Sequence, residues 1–327
     1  MKLAMCLWGE VDEKWSLAKQ MGVDHAVTLA DPKPDHPLAD YQTMALLKKR
    51  YEDAGLDLQV VEGWIPMENI RRATPERERE MELVQRTVEN MGALEIPVLC
   101  YNWMAYFNWL RTSVTTRLRG GALTSSYDHA VMSRSPGTNS LRITEAELWD
   151  NLQWFLERMV PVAERAGVKL AMHPDDPPLS PIAGVPRIMS SVENFERLLS
   201  MSDSEANGIT FCQANFSLMT GPENVPATIR RFGPRIHFVH FRDVRGTAER
   251  FEETFHDDGP TDMFAVMRAY REVGFGGAIR PDHAPAMEGD PNLRPGYETR
   301  GRLFAIGYMK GLLEGVDAVR AGAAGRA

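Results

Sequence analysis

Eight short apolar runs, spaced along 327 residues and separated by stretches of helical period, constrain this chain more than any other feature. The runs are residues 2–9 (KLAMCLWG), 25–30 (HAVTLA), 57–64 (DLQVVEGW), 95–103 (EIPVLCYNW), 169–176 (KLAMHPDD), 208–216 (GITFCQANF), 235–244 (RIHFVHFRDV) and 278–283 (AIRPDH). Most are nearly continuous in apolar residues, the pattern of parallel strands covered on both faces. Between them, 73–91, 144–167, 192–201, 262–273 and 300–315 read as helices. The helix at 144–167 opens on Thr144 with Glu147 three residues on, a capping-box signature, and Pro161 inside it predicts a kink. Ala54-Gly55 and Ala166-Gly167 are helix stops. Eight β/α alternations predict an α/β fold: a single (β/α)8 TIM barrel over residues 1–320, with a frayed tail at 321–327. No glycine-rich dinucleotide or phosphate-loop fingerprint follows any strand, which disfavours an open doubly wound sheet.

Two segments break the rhythm. Residues 104–143, rich in Arg, Ser, Thr and Gly, form a long insertion after strand four and are expected to act as a lid loop. Residues 284–299, rich in Pro and Gly, form an extended loop after strand eight. Both belong to the C-terminal face of the barrel, where active sites form. The formal net charge of −8 argues against nucleic acid as a partner, while a small anion needs only a few local cations. No apolar stretch approaches the ~20 residues that span a bilayer, so no membrane association is expected. Cys6, Cys100 and Cys212 all lie in strand-like runs, which fits free thiols in a reducing cytoplasm.

Ligand-type side chains collect at the ends of the last four strands: His173, Cys212, His240 and Asp282. Adjacent strand ends of a closed barrel converge, and two imidazoles, a thiolate and a carboxylate hold one divalent metal. Strand parity selects His240 over His237, because His240 shares a face with Ile236, Phe238 and Arg242. Singly, each has a structural reading: a strand cysteine fills space, a strand-end histidine packs, and His173-Pro-Asp175-Asp176-Pro-Pro makes a rigid turn. Placement on four successive strand ends favours the joint reading. Trp8, Trp64 and Tyr101-Asn102-Trp103 are candidate pocket walls, Glu62 a candidate extra carboxylate, and His256 a pocket or turn residue. Arg111, Arg117 and Arg119 in the insertion are candidate clamps for a substrate carboxylate.

These residues fall in a familiar order. Met172-His173-Pro-Asp-Asp-Pro-Pro, Gly184-Val-Pro-Arg187, Ile209-Thr-Phe-Cys212, His237-Phe-Val-His240-Phe-Arg242, Arg280-Pro-Asp282-His283, Pro295-Gly296-Tyr297 and the stretch from Cys100-Tyr-Asn102 to Asn108-Trp-Leu-Arg111 together resemble the mannonate dehydratase family. The resemblance implies a xylose-isomerase-like barrel and a metal held by His173, Cys212, His240 and Asp282. It implies Mn2+, with Fe2+, Mg2+ and Zn2+ as alternatives, although a thiolate ligand by itself suggests Zn2+ or Fe2+. It implies proton transfer by His283 and Tyr297, and conversion of D-mannonate to 2-keto-3-deoxy-D-gluconate with loss of water. Arg242, Asn102, Asp175 and Arg111 are the expected substrate contacts. Gln213-Ala-Asn215 and the run Ala284–Gly289 depart from the family pattern at positions expected to line the mouth, which bears on the choice of acid.

Removing the weakly acidic C2 proton beside a carboxylate calls for a cation and a general base. His283 is the expected base and Tyr297 the donor to the leaving hydroxyl, although the two roles are interchangeable from sequence. The expected partner is a small-molecule sugar acid, and the expected assembly is a homo-oligomer. Rival readings are a metal-dependent sugar isomerase or epimerase on the same barrel, for which the lid arginines matter little, and a DNA endonuclease, which needs a basic groove. A non-catalytic sugar-acid-binding protein would not require His283 and Tyr297 beside the four ligands.

Overall fold

The computed structural model describes residues 1–30, 37–63, 65–135 and 142–324. Its strands are Lys2–Leu7 (β1), His25–Ala30 (β2), Asp57–Gly63 (β3), Val98–Asn102 (β4), Ser113–Arg117 (β5), Leu123–Asp128 (β6), Lys169–His173 (β7), Asn207–Cys212 (β8), Ile236–Phe241 (β9), Val244–Thr247 (β10), Arg250–Glu253 (β11) and Ala278–Pro281 (β12). Eight of them close a parallel barrel in the order β1-β12-β9-β8-β7-β4-β3-β2, as expected for a (β/α)8 fold.

Period-two alternation sorts the side chains. One set points inward: Ala4, Val27, Val60, Val98, Cys100, Ala171, Phe238 and Ala278 pack as a buried cluster that plugs the barrel. The intervening set, including Met5, Leu58, Leu99, Leu170, Phe211, Val239 and Ile279, joins the larger core under the helices. Continuing the inward set by two residues lands on Glu62, Asn102, His173, His240 and Arg280, and Thr210, which donates to the inward Cys100, leads likewise to Cys212, so the polar residues lie directly on the plug.

The helix Glu145–Ala166 forms with the expected capping box between Thr144 and Glu147 and ends on Gly167 at φ 68°. It runs through Pro161 and buries Leu148, Leu152, Phe155 and Met159. The last helix, Thr299–Ala324, is longer than expected and takes in residues 321–324 of the anticipated frayed tail; 325–327 lie outside the described residues.

Two expectations are corrected here. The sixth strand stops at Cys212, and Gln213–Thr220 is a helix that starts at once. Residues 104–143, as far as they are described, are no bare loop. They contain β5 and β6, which join β10 and β11 in an antiparallel sheet ordered β10-β11-β6-β5. Tyr127 and Phe251 stack across that sheet with ring centroids 5.9 Å apart, and both are buried. Ala286, from the loop after β12, bridges to Leu123 beside it.

Candidate metal centre

Register brings the strand ends together: Asn102 pairs with His173, Cys212 with His240, and His240 with Arg280. The donor atoms of His173, Cys212 and His240 lie within 4.8 Å of one another. His173 Nδ1 is 2.7 Å from the carbonyl of Pro174 and donates to it, which leaves Nε2 as a lone pair. That Nε2 faces His240 Nδ1 at 3.2 Å, while Glu62 Oε1 lies 3.1 Å from His240 Nε2. At 3.2 Å the two nitrogens share a hydrogen bond when His240 Nδ1 carries a proton, and suit two ligands of one cation when it does not. Burial pulls the His173 imidazole below its ordinary pKa, although Asp176, Glu62 and Asp282 oppose this, and so favours the neutral ligand form. Asp282 Oδ2 is 3.6 Å from His240 Nδ1. Burial opposes ionisation of Asp282, but His283, Arg280, His240 and Arg242 outweigh it and hold the carboxyl well below the usual range. The residues fit a divalent cation.

Two cysteines compete for the sulfur role, since Glu62, Cys100 and His240 form a second such cluster. Cys100 takes a hydrogen bond from Thr210 at 3.2 Å, and burial pushes its thiol well up. The sulfur of Cys212 instead lies 3.3 Å from the Arg242 guanidinium and within 4.8 Å of the donor atoms of both His173 and His240. Cys212 is the sulfur that clusters with both imidazoles, whereas Cys100 clusters with His240 and Glu62.

Around these donors runs a buried charge network. Arg242 contacts Glu253 at 2.5 Å, Asp176 at 2.7 Å and Asp282 at 2.9 Å. Arg111 meets Asp176 at 2.6 Å and Glu253 at 2.5 Å, and Arg280 grips Glu62 through two bonds of 3.0 and 2.6 Å. Burial works against Glu62 and Glu253, yet the arginines and histidines beside them bring each to about 2. Four carboxylates (Glu62, Asp176, Glu253, Asp282) thus face three guanidiniums (Arg111, Arg242, Arg280). Counted without the imidazoles, which add positive charge when protonated, that leaves one excess negative charge. Uncompensated buried charge is costly, so the network accommodates added positive charge, from an imidazolium or from a bound cation.

His173, His240 and Asp282, with Glu62 and Cys100, line a cavity of about 720 Å³ whose walls also include Trp8, Asn102, Trp109, Asp176, His283, Arg294 and Tyr297; Cys212 lies behind the imidazoles, fully buried. His283 Nδ1 is 3.0 Å from Glu253 Oε1, and its ring packs against Trp109 at 5.3 Å and Tyr297 at 5.4 Å. Tyr297 donates to Asp282 Oδ1 at 3.2 Å. Burial and Asp282 raise the Tyr297 phenol well above its ordinary range, although Arg280 pulls the other way.

Several expected site residues take other positions. Asp175 faces away from the cavity: its carboxylate accepts from the Met189 amide at 2.7 Å and lies 3.6 Å from Arg187, and burial raises it to about 6. Its neighbour Asp176 is the one that lines the cavity. Arg111 and Arg242 are not free clamps, because their terminal guanidinium nitrogens are committed to buried protein carboxylates. Arg119 pairs with Asp257 at 2.7 Å over the Phe255 ring, outside the cavity. Gln213 and Asn215 do not line the mouth: both are fully buried, with Gln213 Nε2 2.8 Å from Met263 Sδ and Asn215 accepting from Arg242 at 3.1 Å. Ala284–Ala286 are likewise buried. His237 lines a pocket at the opposite end of the barrel, and His256 is buried with Nε2 2.8 Å from the carbonyl of Phe241. Trp8 and Asn102 do line the cavity, whereas Trp103 belongs to the core and Trp64 lies outside the described residues. Sequence reasoning missed Glu253. The signal was present in the alternation of Val244, Arg245, Phe251 and Glu252 about Gly246–Glu249, a hairpin that carries Glu253 back beside Arg242.

Comparison with known proteins agrees with this geometry. The family model described as D-mannonate dehydratase (UxuA) matches residues 1–144 and 138–322. The mannonate dehydratase of Thermotoga maritima is 37% identical over 98% of this chain and 99% of its own length. Mannonate dehydratase 1 of Bacillus licheniformis is 34% identical over 97% and 96%. The crystal structure of mannonate dehydratase from Streptococcus suis serotype 2 superposes with a TM-score of 0.88 at 32% identity, covering 98% of this chain and 95% of that one. A D-tagatose 3-epimerase-like protein shares the fold, with a TM-score of 0.64 at 17% identity. A pocketed barrel with clustered imidazole, sulfur and carboxylate donors, matched along its whole length by these relatives, belongs to the mannonate dehydratase family.

Proposed function

We propose that the protein is a divalent-metal-dependent hydro-lyase that converts D-mannonate to 2-keto-3-deoxy-D-gluconate and water. One observation carries the reading: His173 and His240, whose donor atoms cluster with that of Cys212, line the same cavity as Asp282, His283 and Tyr297. His173, Cys212, His240 and Asp282 would hold the ion. When bound, a divalent cation polarises substrate oxygens and lowers the cost of negative charge developing beside C2. The nitrogen and sulfur donors by themselves favour Fe2+ or Zn2+ over Mg2+, and Mn2+ rests on the family resemblance.

The two proton-handling residues divide by environment. Glu253 accepts from His283 Nδ1 and leaves Nε2 for the cavity, so His283 is the base that takes the C2 proton. Tyr297, kept protonated by its surroundings, is the acid that delivers a proton to the C3 hydroxyl. The C3–O bond breaks, the C2–H electron pair forms the C2–C3 double bond, and the enol product ketonises to the 2-keto acid. One proton leaves C2, one reaches the departing oxygen, and the sum is loss of one water. Cys6, Cys100 and Cys212 are unpaired, which supports a reducing cytoplasmic setting.

The test is a panel of hexonic acids offered to chelator-treated and metal-reloaded enzyme, with 2-keto acid formation and metal content read on one sample. Metal-dependent turnover of D-mannonate is expected. Turnover confined to uncharged ketoses would replace this reading with the epimerase one.

A further inference from the structure

Resting on the sugar-acid reading, we propose that Arg294 binds the substrate carboxylate and sets the preference for acids over uncharged sugars. Three arginines line the cavity: Arg50, Arg280 and Arg294. Arg280 is fully buried and its donors go to Glu62, Asp282 and the carbonyl of Pro281. Arg50 donates to the Gly9 carbonyl at 3.1 Å and lies 3.7 Å from Glu10. The guanidinium of Arg294 has no hydrogen-bond acceptor among the described residues. It stacks on the Trp8 ring, 4.4 Å from the centroid. Stacking covers its face and leaves the N–H edge for a planar, two-oxygen partner, the arrangement that a carboxylate matches.

Local structure fixes where this arginine stands. Its backbone amide donates to Glu298 Oε1 at 2.7 Å, and its carbonyl accepts from the Tyr297 amide at 2.8 Å, closing a turn. Gly296, at φ 85°, lets that turn lie against His283; a Cβ there would come within 3.0 Å of the imidazole. Trp8, under Arg294, also meets Tyr297 edge-on at 5.6 Å. One turn and one indole therefore hold Arg294, the cavity-lining arginine whose guanidinium has no acceptor among the described residues, near Tyr297 and His283. Arg111 and Arg242, consumed by Asp176 and Glu253, do not compete for the substrate.

The experiment compares metal-loaded wild type with Arg294→Gln and Arg294→Lys, by steady-state kinetics on D-mannonate and by competition with D-mannonate's neutral alditol, D-mannitol. Losing a charge-assisted bond predicts a KM raised about tenfold or more in Arg294→Gln, with kcat changed less than about threefold, and partial recovery in Arg294→Lys. Inhibition by D-mannitol stays the same in all three. A KM within about twofold of wild type in Arg294→Gln overturns the assignment, as does an equal loss of D-mannitol binding, which marks a general effect on the pocket. Wild type that neither binds nor turns over any sugar acid overturns the functional reading and this assignment with it. Wild-type turnover with an indifferent Arg294→Gln overturns this assignment alone.

Discussion

A single carboxylate, Glu253, meets His283, Arg111 and Arg242 at once, so its charge and its shape can be separated by mutation. Glu253→Gln keeps the shape and weakens the hold on His283. The expected result is a kcat lowered about 100-fold with metal content within about twofold of wild type, read by kinetics and elemental analysis. Metal lost in proportion to activity would make Glu253 a structural anchor only. His283→Asn is expected to lower kcat about 10²–10⁴-fold with metal retained; near wild-type turnover would remove His283 from the mechanism. At this scale the sequence was legible wherever parity decides direction. His173, Cys212 and His240 are fixed by alternation along β7, β8 and β9. Choices made by tertiary pairing were not legible: Asp175 and Asp176 are neighbours, and only the packing of Met189 and Arg187 against one, and of Arg111 and Arg242 against the other, separates them.

Elements were legible in proportion to how local their signals are. The helix Glu145–Ala166 announces itself through Thr144, Glu147 and its apolar stripe. The inserted sheet does not. Of its strands, Ser113–Arg117 is short, polar and largely exposed, and the sheet exists because Phe251 and Glu252 pair with Tyr127 and Ser126 across more than a hundred residues of chain. Its use is positional, since the same strand that packs Phe251 ends on Glu253. Phe251→Ala removes a ring that stacks on Tyr127 and lies 5.0 Å beneath the Arg111 guanidinium. It is expected to cost about 3 kcal/mol locally and to lower kcat while the barrel keeps its metal. Unchanged kcat, with the loss of stability confirmed by thermal unfolding, would show that the sheet does not position the site.

Across the whole molecule the barrel stores a charge imbalance at its centre. The fold class was legible because eight alternations leave few architectures open; the network was not, because seven buried charged side chains from distant segments meet only in three dimensions. Glu62 and Glu253 sit at about 2 in the fold, against about 4.3 for a free glutamate. On acidification the unfolded chain takes up protons first, so the stability these groups supply is present above about pH 4.3 and is lost as pH falls toward about 2. Thermal unfolding between about pH 5 and 2 should show Tm falling steeply across that window, and a flat profile would contradict the reading. The most direct measurement is the divalent metal bound per chain after chelation, reloading and desalting, in wild type and in Cys212→Ala. About one equivalent in wild type and little in Cys212→Ala is the predicted result. Wild type that retains no metal, or Cys212→Ala that retains as much as wild type, would contradict a cation held jointly by His173, Cys212, His240 and Asp282.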